Sequence, residues 1–497
     1  MKAIILAAGV GSRLRPITDD KPKTLVRVVG KPILGHLLDA LAGNGITEVA
    51  IVVGYRAEQV RDYCATAHPN LDISFVVNNE YDSTNNMFSL WLAREHLTGD
   101  VLLMNGDVVF DSDLIAGLAA MTGSAVAVDR GTWDEESMKV LVEDGRISGI
   151  SKTYGATESW GRSTDAYRLD AVGLTRVVGE LERIIGSGDR NQWTERMLDN
   201  LFRSGELTAT PCEIGEARWY EIDTYDDLAE AELMFNERLA SLADKKVFFV
   251  DRDGTLTLSD TILDGAEGFL SRLKSTGRQV YVLTNNSSRS PGAHASNLRR
   301  IGFDVSEADV LVSIQAALHY LKRQRLTRLY WLANEEVSNY IRSEGFEFDE
   351  ESPEACLLTY DTDLTFAKLG KLTSLVRSGI PYYATHLDVV CPTPHGDLPD
   401  IGTFMKVVEM TTGQMPLRTF GKPDPDFITG VLEAAGIALE DAVVIGDRLY
   451  TDIALGADPR LTSVLVLSGE TTRSDYEFAD VDADVVVRSV GTLMNYL

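Results

Sequence analysis

Short runs rich in β-branched residues alternate with helical stretches along the whole 497-residue chain. That alternation calls for α/β domains with parallel strands, since two parallel strands need a long crossover between them. The predicted strands include Ala3–Leu6, Glu48–Val53, Ile73–Val77, Val101–Met104, Val247–Val250, Val280–Leu283 and Ala442–Ile445. Helices are predicted over Ile33–Asn44, Ala57–Ala67 and Asn86–Glu95. Asp226–Ala243 reads as one further helix with acids in its first turns, and Val247–Val250 then opens a second series of strands. Two α/β domains are therefore expected, residues 1–243 and 244–497.

Charge narrows the partners. Acids outnumber bases by 75 to 47, a net charge of −28. Nucleic acid and anionic membranes both require a basic face, so neither is an expected partner. The first 31 residues reverse the balance, with seven Lys or Arg against two Asp, which suits a small anionic ligand. Four scattered cysteines make neither a disulfide framework nor a zinc site and fit a reducing, cytoplasmic compartment. No apolar run reaches about 18 residues, so no membrane-spanning helix is expected. Nothing in the sequence fixes an oligomeric state.

The first strand leads into Leu6-Ala7-Ala8-Gly9-Val10-Gly11-Ser12-Arg13, with Lys21-Pro22-Lys23 shortly after. Glycines at a strand end let backbone N–H groups approach phosphate oxygens, and Arg13 and Lys23 supply positive charge. There is no third glycine for a dinucleotide loop and no Gly-Lys-Thr for a P-loop. The whole string resembles the signature of the nucleotidyltransferases that activate sugar phosphates and phosphocholine. Asn105-Gly106-Asp107 after a strand, Glu221-Ile222-Asp223-Thr224 and Lys152 extend the resemblance over about residues 1–235. The segments Asn78 to Leu90 and Ser137-Met138-Lys139-Val140 are similar to the phosphocholine and aminoethylphosphonate cytidylyltransferase branch.

The resemblance implies nucleotide contacts from Leu6, Ala7, Ala8, Gly9, Gly11, Ser12 and Asn85. It implies Mg²⁺ on Asp107 and Asp223, acceptor binding by Lys152, and charge neutralisation by Arg13 and Lys23. CTP is the implied donor and a small phosphate or phosphonate the acceptor. Trp133, Trp160, Trp193, Trp219 and Tyr220, with Glu216 and Glu221, are candidates for a cation-binding pocket.

In the second series, Phe248-Phe249-Val250-Asp251-Arg252-Asp253-Gly254-Thr255 sets two carboxylates just past a hydrophobic strand, where α/β ligands bind. Thr284-Asn285-Asn286-Ser287-Ser288, Gly421-Lys422-Pro423 and Gly446-Asp447-Arg448-Leu449-Tyr450-Thr451-Asp452 follow in order. The four motifs together resemble the haloacid-dehalogenase-type phosphatases. By position, Asp251 is the implied nucleophile, Asp253 the acid and base, and Thr284 and Lys422 the phosphoryl-binding groups. Asp251, Asp253, Asp447 and Asp452 are the implied Mg²⁺ ligands.

A long insertion, about residues 291–414, implies an α/β cap between core segments 244–290 and 415–497. Ala384-Thr385-His386-Leu387-Asp388 through Pro392 is similar to the large-capped p-nitrophenylphosphatase-like branch, with Asn285 and Asp388 as candidate substrate contacts. His386 stands where that branch usually has Asn, and Arg252 where it has an apolar residue.

The expected fold is thus α/β throughout: a Rossmann-like, mixed-sheet nucleotidyltransferase domain, then a haloacid-dehalogenase-like Rossmannoid domain with its cap. The expected function is bifunctional, a CTP-dependent cytidylyltransferase and a Mg²⁺-dependent phosphomonoesterase. The alternatives are a sugar-1-phosphate nucleotidyltransferase using UTP or dTTP fused to a phosphatase, and a non-catalytic nucleotide-binding scaffold.

Overall fold

The computed structural model describes residues 1–131, 133, 135–391 and 396–497, so Pro392 lies outside the described residues. The chain forms two compact units, Met1–Phe235 and Asn236–Leu497. The division therefore falls after Phe235 instead of near residue 243. Its local cause is visible in the hydrogen bonds of Asn236. The predicted helix over 226–243 is really Tyr225–Phe235 followed by a short helix, Arg238–Ser241. Asn236 turns its side chain to the Arg238 N–H and the Asp484 carbonyl, which competes with helical continuation.

The N-terminal unit is built on a nine-stranded mixed sheet. Its central strand, Lys2–Ala7, lies between parallel neighbours Glu48–Val53 and Val101–Asn105. Residues Ala3 to Ala7 are all buried, the expected state of a parallel strand covered on both faces. Beyond Val101–Asn105 the sheet turns antiparallel through Gly161–Leu169, which also pairs with Ser124–Asp129. Two apolar clusters fill the faces, one around Ile4, Val52 and Leu103, the other around Ile5, Ile51 and Leu37.

The C-terminal unit contains a six-stranded, all-parallel sheet in the order 310–312, 279–284, 247–251, 442–446, 462–466, 485–487. A separate four-stranded parallel sheet, Glu347–Phe348, Arg328–Leu332, Ala355–Leu358 and Tyr382–Ala384, forms the insertion. Strand Val310–Val312 pairs with Gln279–Thr284, so the core sheet continues past residue 291. The inserted sheet therefore starts at Arg328, because the preceding crossover returns to the core before the chain leaves it. Among the described residues no helix is long and apolar enough to cross a membrane.

Candidate functional site

In the N-terminal unit the site assembles at the carboxyl ends of the central strands. Gly11 has φ 72°, and a Cβ there would press into the Lys23 side chain, so glycine is what allows this close approach. Leu6 lies in register with Asn105, and the turn beyond delivers Asp107. Strand Trp219–Glu221 pairs with Val108–Phe110 and brings in Glu221 and Asp223. Asp107, Glu221 and Asp223 each offer an oxygen within 4.8 Å of the others.

Lys23 Nζ donates to Asp107 Oδ2 at 2.7 Å and to Asp223 Oδ1 at 2.6 Å, while Arg13 pairs with Asp223 Oδ2 at 2.7 Å. Burial works against the Lys23 ammonium, but the attraction of Asp107 and Asp223 outweighs it and raises its pKa. Burial likewise opposes the Asp223 carboxylate, yet Lys23 and Arg13 hold its pKa down. Glu221 is pushed up to about 7 by burial and then by Asp107 and Asp223. Asp107 Oδ1 is buried without a hydrogen-bond partner. Three convergent carboxylates, one with an orphaned oxygen, fit a hard divalent cation.

A cavity of about 810 Å³ opens beside this cluster. Leu6, Ala8, Gly9, Arg13, Asn85 and Lys152 line it. Ala7 packs into the core, and Gly11 and Ser12 are not among the lining residues. Trp193, Trp219 and Tyr220 line the cavity, whereas Trp133, Trp160 and Glu216 do not. Lys152 lies 3.2 Å from Glu136 and over the Trp193 ring. Trp219 is fixed by its indole N–H donating to Asp129 Oδ2 at 3.0 Å, and Arg162 pairs with the same oxygen.

In the C-terminal unit Asp251, Thr284 and Gly446 end three adjacent parallel strands. A π-helical turn, Leu449–Ile453, then brings Asp452 back toward Asp447. Oxygens of Asp251, Asp447 and Asp452 lie within 4.8 Å of one another. Lys422 Nζ bonds Asp251 Oδ1 and lies 2.6 Å from Asp452 Oδ1. Asp251 Oδ2 and Asp447 Oδ1 are buried and unpartnered, which again fits a divalent cation. Burial raises the Asp251 pKa well above the carboxylate range against the pull of Lys422. Burial and Asp452 push Asp447 up to about 7.

Residues 2–132 match the nucleotidyl transferase family. Residues 248–347 match the haloacid dehalogenase-like hydrolase family, and 419–493 the HAD-hydrolase-like family. A dihydroxyacetone phosphatase of Corynebacterium glutamicum is 30% identical over 223 residues, 45% of this chain and 81% of that protein. The chain joins a nucleotidyl transferase domain to a haloacid dehalogenase-like phosphatase domain. The solved 4-nitrophenylphosphatase of Thermotoga maritima shares 36% identity with a TM-score of 0.50, over 51% of this chain and 98% of that one. The CMP-5'-(3-aminopropyl)phosphonate synthase of Streptomyces rubellomurinus is 35% identical over 252 residues, 48% of this chain but only 39% of the synthase.

Several expectations change with the geometry. In the transferase domain Lys23 rests on the carboxylates themselves. In the phosphatase domain the carboxylates that converge are those of Asp251, Asp447 and Asp452, and the Asp253 side chain is not one of that group. Asn285 spends both amide N–H groups inside the protein, on Asp388 Oδ1 and the Lys422 carbonyl, and accepts from the Lys422 N–H. It thereby brackets Lys422. Asp388 is buried and faces Asn285 and Arg448. His386 is fully buried between Asp388 and Asp400, with ring nitrogens 3.7 and 3.5 Å from their oxygens.

Sequence reasoning missed Asp165 and Glu195. Both line the transferase cavity, and the Tyr167 hydroxyl lies 3.3 Å from Asp165 Oδ1 and 2.8 Å from Glu195 Oε1. Burial first, then Glu195, raises the Asp165 pKa well above the usual range, and burial raises that of Glu195. Asp165 sits at φ 59° where the strand register shifts between Ser163 and Tyr167. An irregularity of this kind re-aims a side chain, and no periodicity in the sequence announces it.

Proposed function

We propose that the transferase domain couples CTP to a small phosphonate or phosphate that carries an ammonium group, while the phosphatase domain hydrolyses a phosphomonoester. The carrying observation is the charge of the transferase cavity. Seven of its charged side chains are carboxylates and three are basic. Asp165 and Glu195 line the same cavity as Asp107 and Asp223, the first half-buried and the second buried, both with raised pKa values, so a cationic acceptor would stabilise their charged forms. Trp193, Trp219 and Tyr220 add faces suited to a cation. The name of the Streptomyces relative supports CMP transfer to an aminoalkylphosphonate.

In the transfer step an acceptor oxygen attacks the α-phosphorus, the bond to the bridging oxygen breaks, and its electron pair leaves on pyrophosphate. Arg13 and Lys23 balance the charge that gathers on the phosphates. Asp107 and Asp223, with Glu221 beside them, would hold Mg²⁺, which supplies Lewis-acid polarisation of the phosphate when bound. Lys152 meets the acceptor's phosphonate. Leu6, Ala8, Gly9 and Asn85 border the nucleotide.

In the phosphatase domain Asp251 attacks phosphorus while Asp253 gives a proton to the departing alcohol, and Asp253 then takes a proton from the attacking water. Thr284 and Lys422 bind the phosphoryl group, and Asp251, Asp447 and Asp452 would hold the second Mg²⁺.

The test is a screen of the full chain with CTP, UTP, dTTP and ATP against 2-aminoethylphosphonate, phosphocholine and a hexose 1-phosphate, reading pyrophosphate release. CTP with an amine-bearing acceptor should turn over best. Preferred turnover of UTP or dTTP with the hexose phosphate sinks this reading. Asp107→Ala should abolish transfer and spare phosphomonoester hydrolysis, and Asp251→Asn should do the reverse. Absence of both wild-type activities favours the scaffold.

A further inference from the structure

Arg252, the residue that replaces an apolar one between the two motif aspartates, is almost fully buried. Its NH1 donates to His294 Nδ1 at 2.8 Å and its NH2 to Asn297 Oδ1 at 2.7 Å. Both partners sit on helix Pro291–Ile301, and the other ring nitrogen of His294 lies 2.8 Å from the Asn286 carbonyl. Since Arg252 can only donate, His294 accepts at Nδ1 and carries its proton at Nε2, where it donates to that carbonyl. One imidazole thus joins the loop of Asp251 and Asp253 to the loop that follows Thr284.

Neither His294, neutral in this tautomer, nor Asn297 neutralises the guanidinium. Among the described residues the only carboxylate within 4 Å of Arg252 is Asp253, whose Oδ1 is 3.9 Å from Nε. That Nε–H is buried and has no hydrogen-bond partner. Asp253 itself is partly exposed, on a loop that needs Gly254 at φ 96° to turn. A carboxylate shift of about 1 Å would close the contact to hydrogen-bond length.

We infer that Arg252 is a positioning residue: held by His294 and Asn297, it anchors one oxygen of Asp253 so that the other faces the leaving group. The inference rests on Asp253 as the proton donor. In the step concerned, Asp251 forms a bond to phosphorus, the ester P–O bond breaks, and the proton on Asp253 passes to the departing oxygen. An alkoxide needs that proton, whereas 4-nitrophenolate leaves well without it. The role therefore depends on the leaving group, which simple damage to the fold does not.

The test compares wild-type chain with Arg252→Met and Arg252→Lys on glycerol phosphate and 4-nitrophenyl phosphate at saturating Mg²⁺. For Arg252→Met, kcat on glycerol phosphate should fall at least about tenfold with KM little changed, and kcat on 4-nitrophenyl phosphate less than about twofold. Arg252→Lys keeps the charge without the fork and should recover part of the loss. Asn297→Ala, on the partly exposed helix face, should reproduce the same asymmetry more weakly even if Arg252→Met does not fold. Equal losses on both esters, or none on either, overturn the positioning role alone. A wild-type chain that hydrolyses neither ester overturns it together with the phosphatase reading.

Discussion

Lys23 donates to Asp107 Oδ2 at 2.7 Å across 84 residues of chain, and the same ammonium reaches Asp223 at 2.6 Å. One cation thus holds together two carboxylates delivered by strands far apart in sequence. Replacing it by an isosteric apolar residue leaves both acids beside Glu221 with no ammonium between them. Lys23→Met is expected to lower nucleotide transfer by about 10²–10³-fold, the usual cost of one charge-stabilising donor. Pyrophosphate and phosphate release measured on one preparation check this, because hydrolysis by the other domain should stay at its wild-type rate.

Glu195 accepts from the Tyr167 hydroxyl and faces the cavity, where a cationic acceptor would gain its charge. Glu195→Gln keeps the shape and removes the charge. The KM for 2-aminoethylphosphonate is expected to rise about tenfold or more, as for a lost charge-assisted hydrogen bond, with the KM for CTP unchanged. Steady-state kinetics with each substrate varied in turn separate the two. An equal rise in both constants would assign Glu195 to the scaffold of the cavity.

Gly469 lies against Asp447, and a Cβ there would collide with the carboxylate. Gly469→Ala should displace Asp447 and cut phosphomonoester hydrolysis by about 10–100-fold, the range seen when support of a metal ligand is lost. Titration of activity with Mg²⁺ should show a higher half-saturating concentration. Nucleotide transfer serves as the internal control.

His294 is held neutral: burial, then the Arg252 guanidinium, lowers its pKa to about 3 from an ordinary 6.5. Its folded pKa is depressed, so below about pH 6.5 the unfolded chain binds a proton that the folded one refuses. Stability should therefore fall as pH drops from 6.5 toward 3. The loss between pH 7 and pH 5 is about 2 kcal/mol from this residue. His294→Gln, which offers the same acceptor and donor without titrating, should flatten that slope in thermal melts across the same range.

Much of this architecture is legible locally. The central strand of the N-terminal unit reads as a continuous apolar run because both its faces are covered. Asp251, Thr284, Lys422 and Asp447 are readable because the first two end strands, the others follow a glycine, and all four lie in short motifs that carry the family resemblance. Strand Val310–Val312 is different. Three residues carry too little pattern to say which sheet they join, and only their pairing with Val282 to Thr284 assigns them to the core.

By itself the sequence determined two α/β units and the family that each one's motifs resemble, since periodicity, turn chemistry and short motifs act over a few residues. Tertiary structure alone decided that Lys23 bridges Asp107 and Asp223 and that Asp165 and Glu195 share one cavity with them. It also decided that Arg252 turns to His294 and Asn297 while keeping Asp253 within reach. Apart from the neighbours Arg252 and Asp253, these meetings join residues tens to hundreds of positions apart. They depend on which buried surfaces pack together, and that information is spread across the whole chain rather than written beside any one residue.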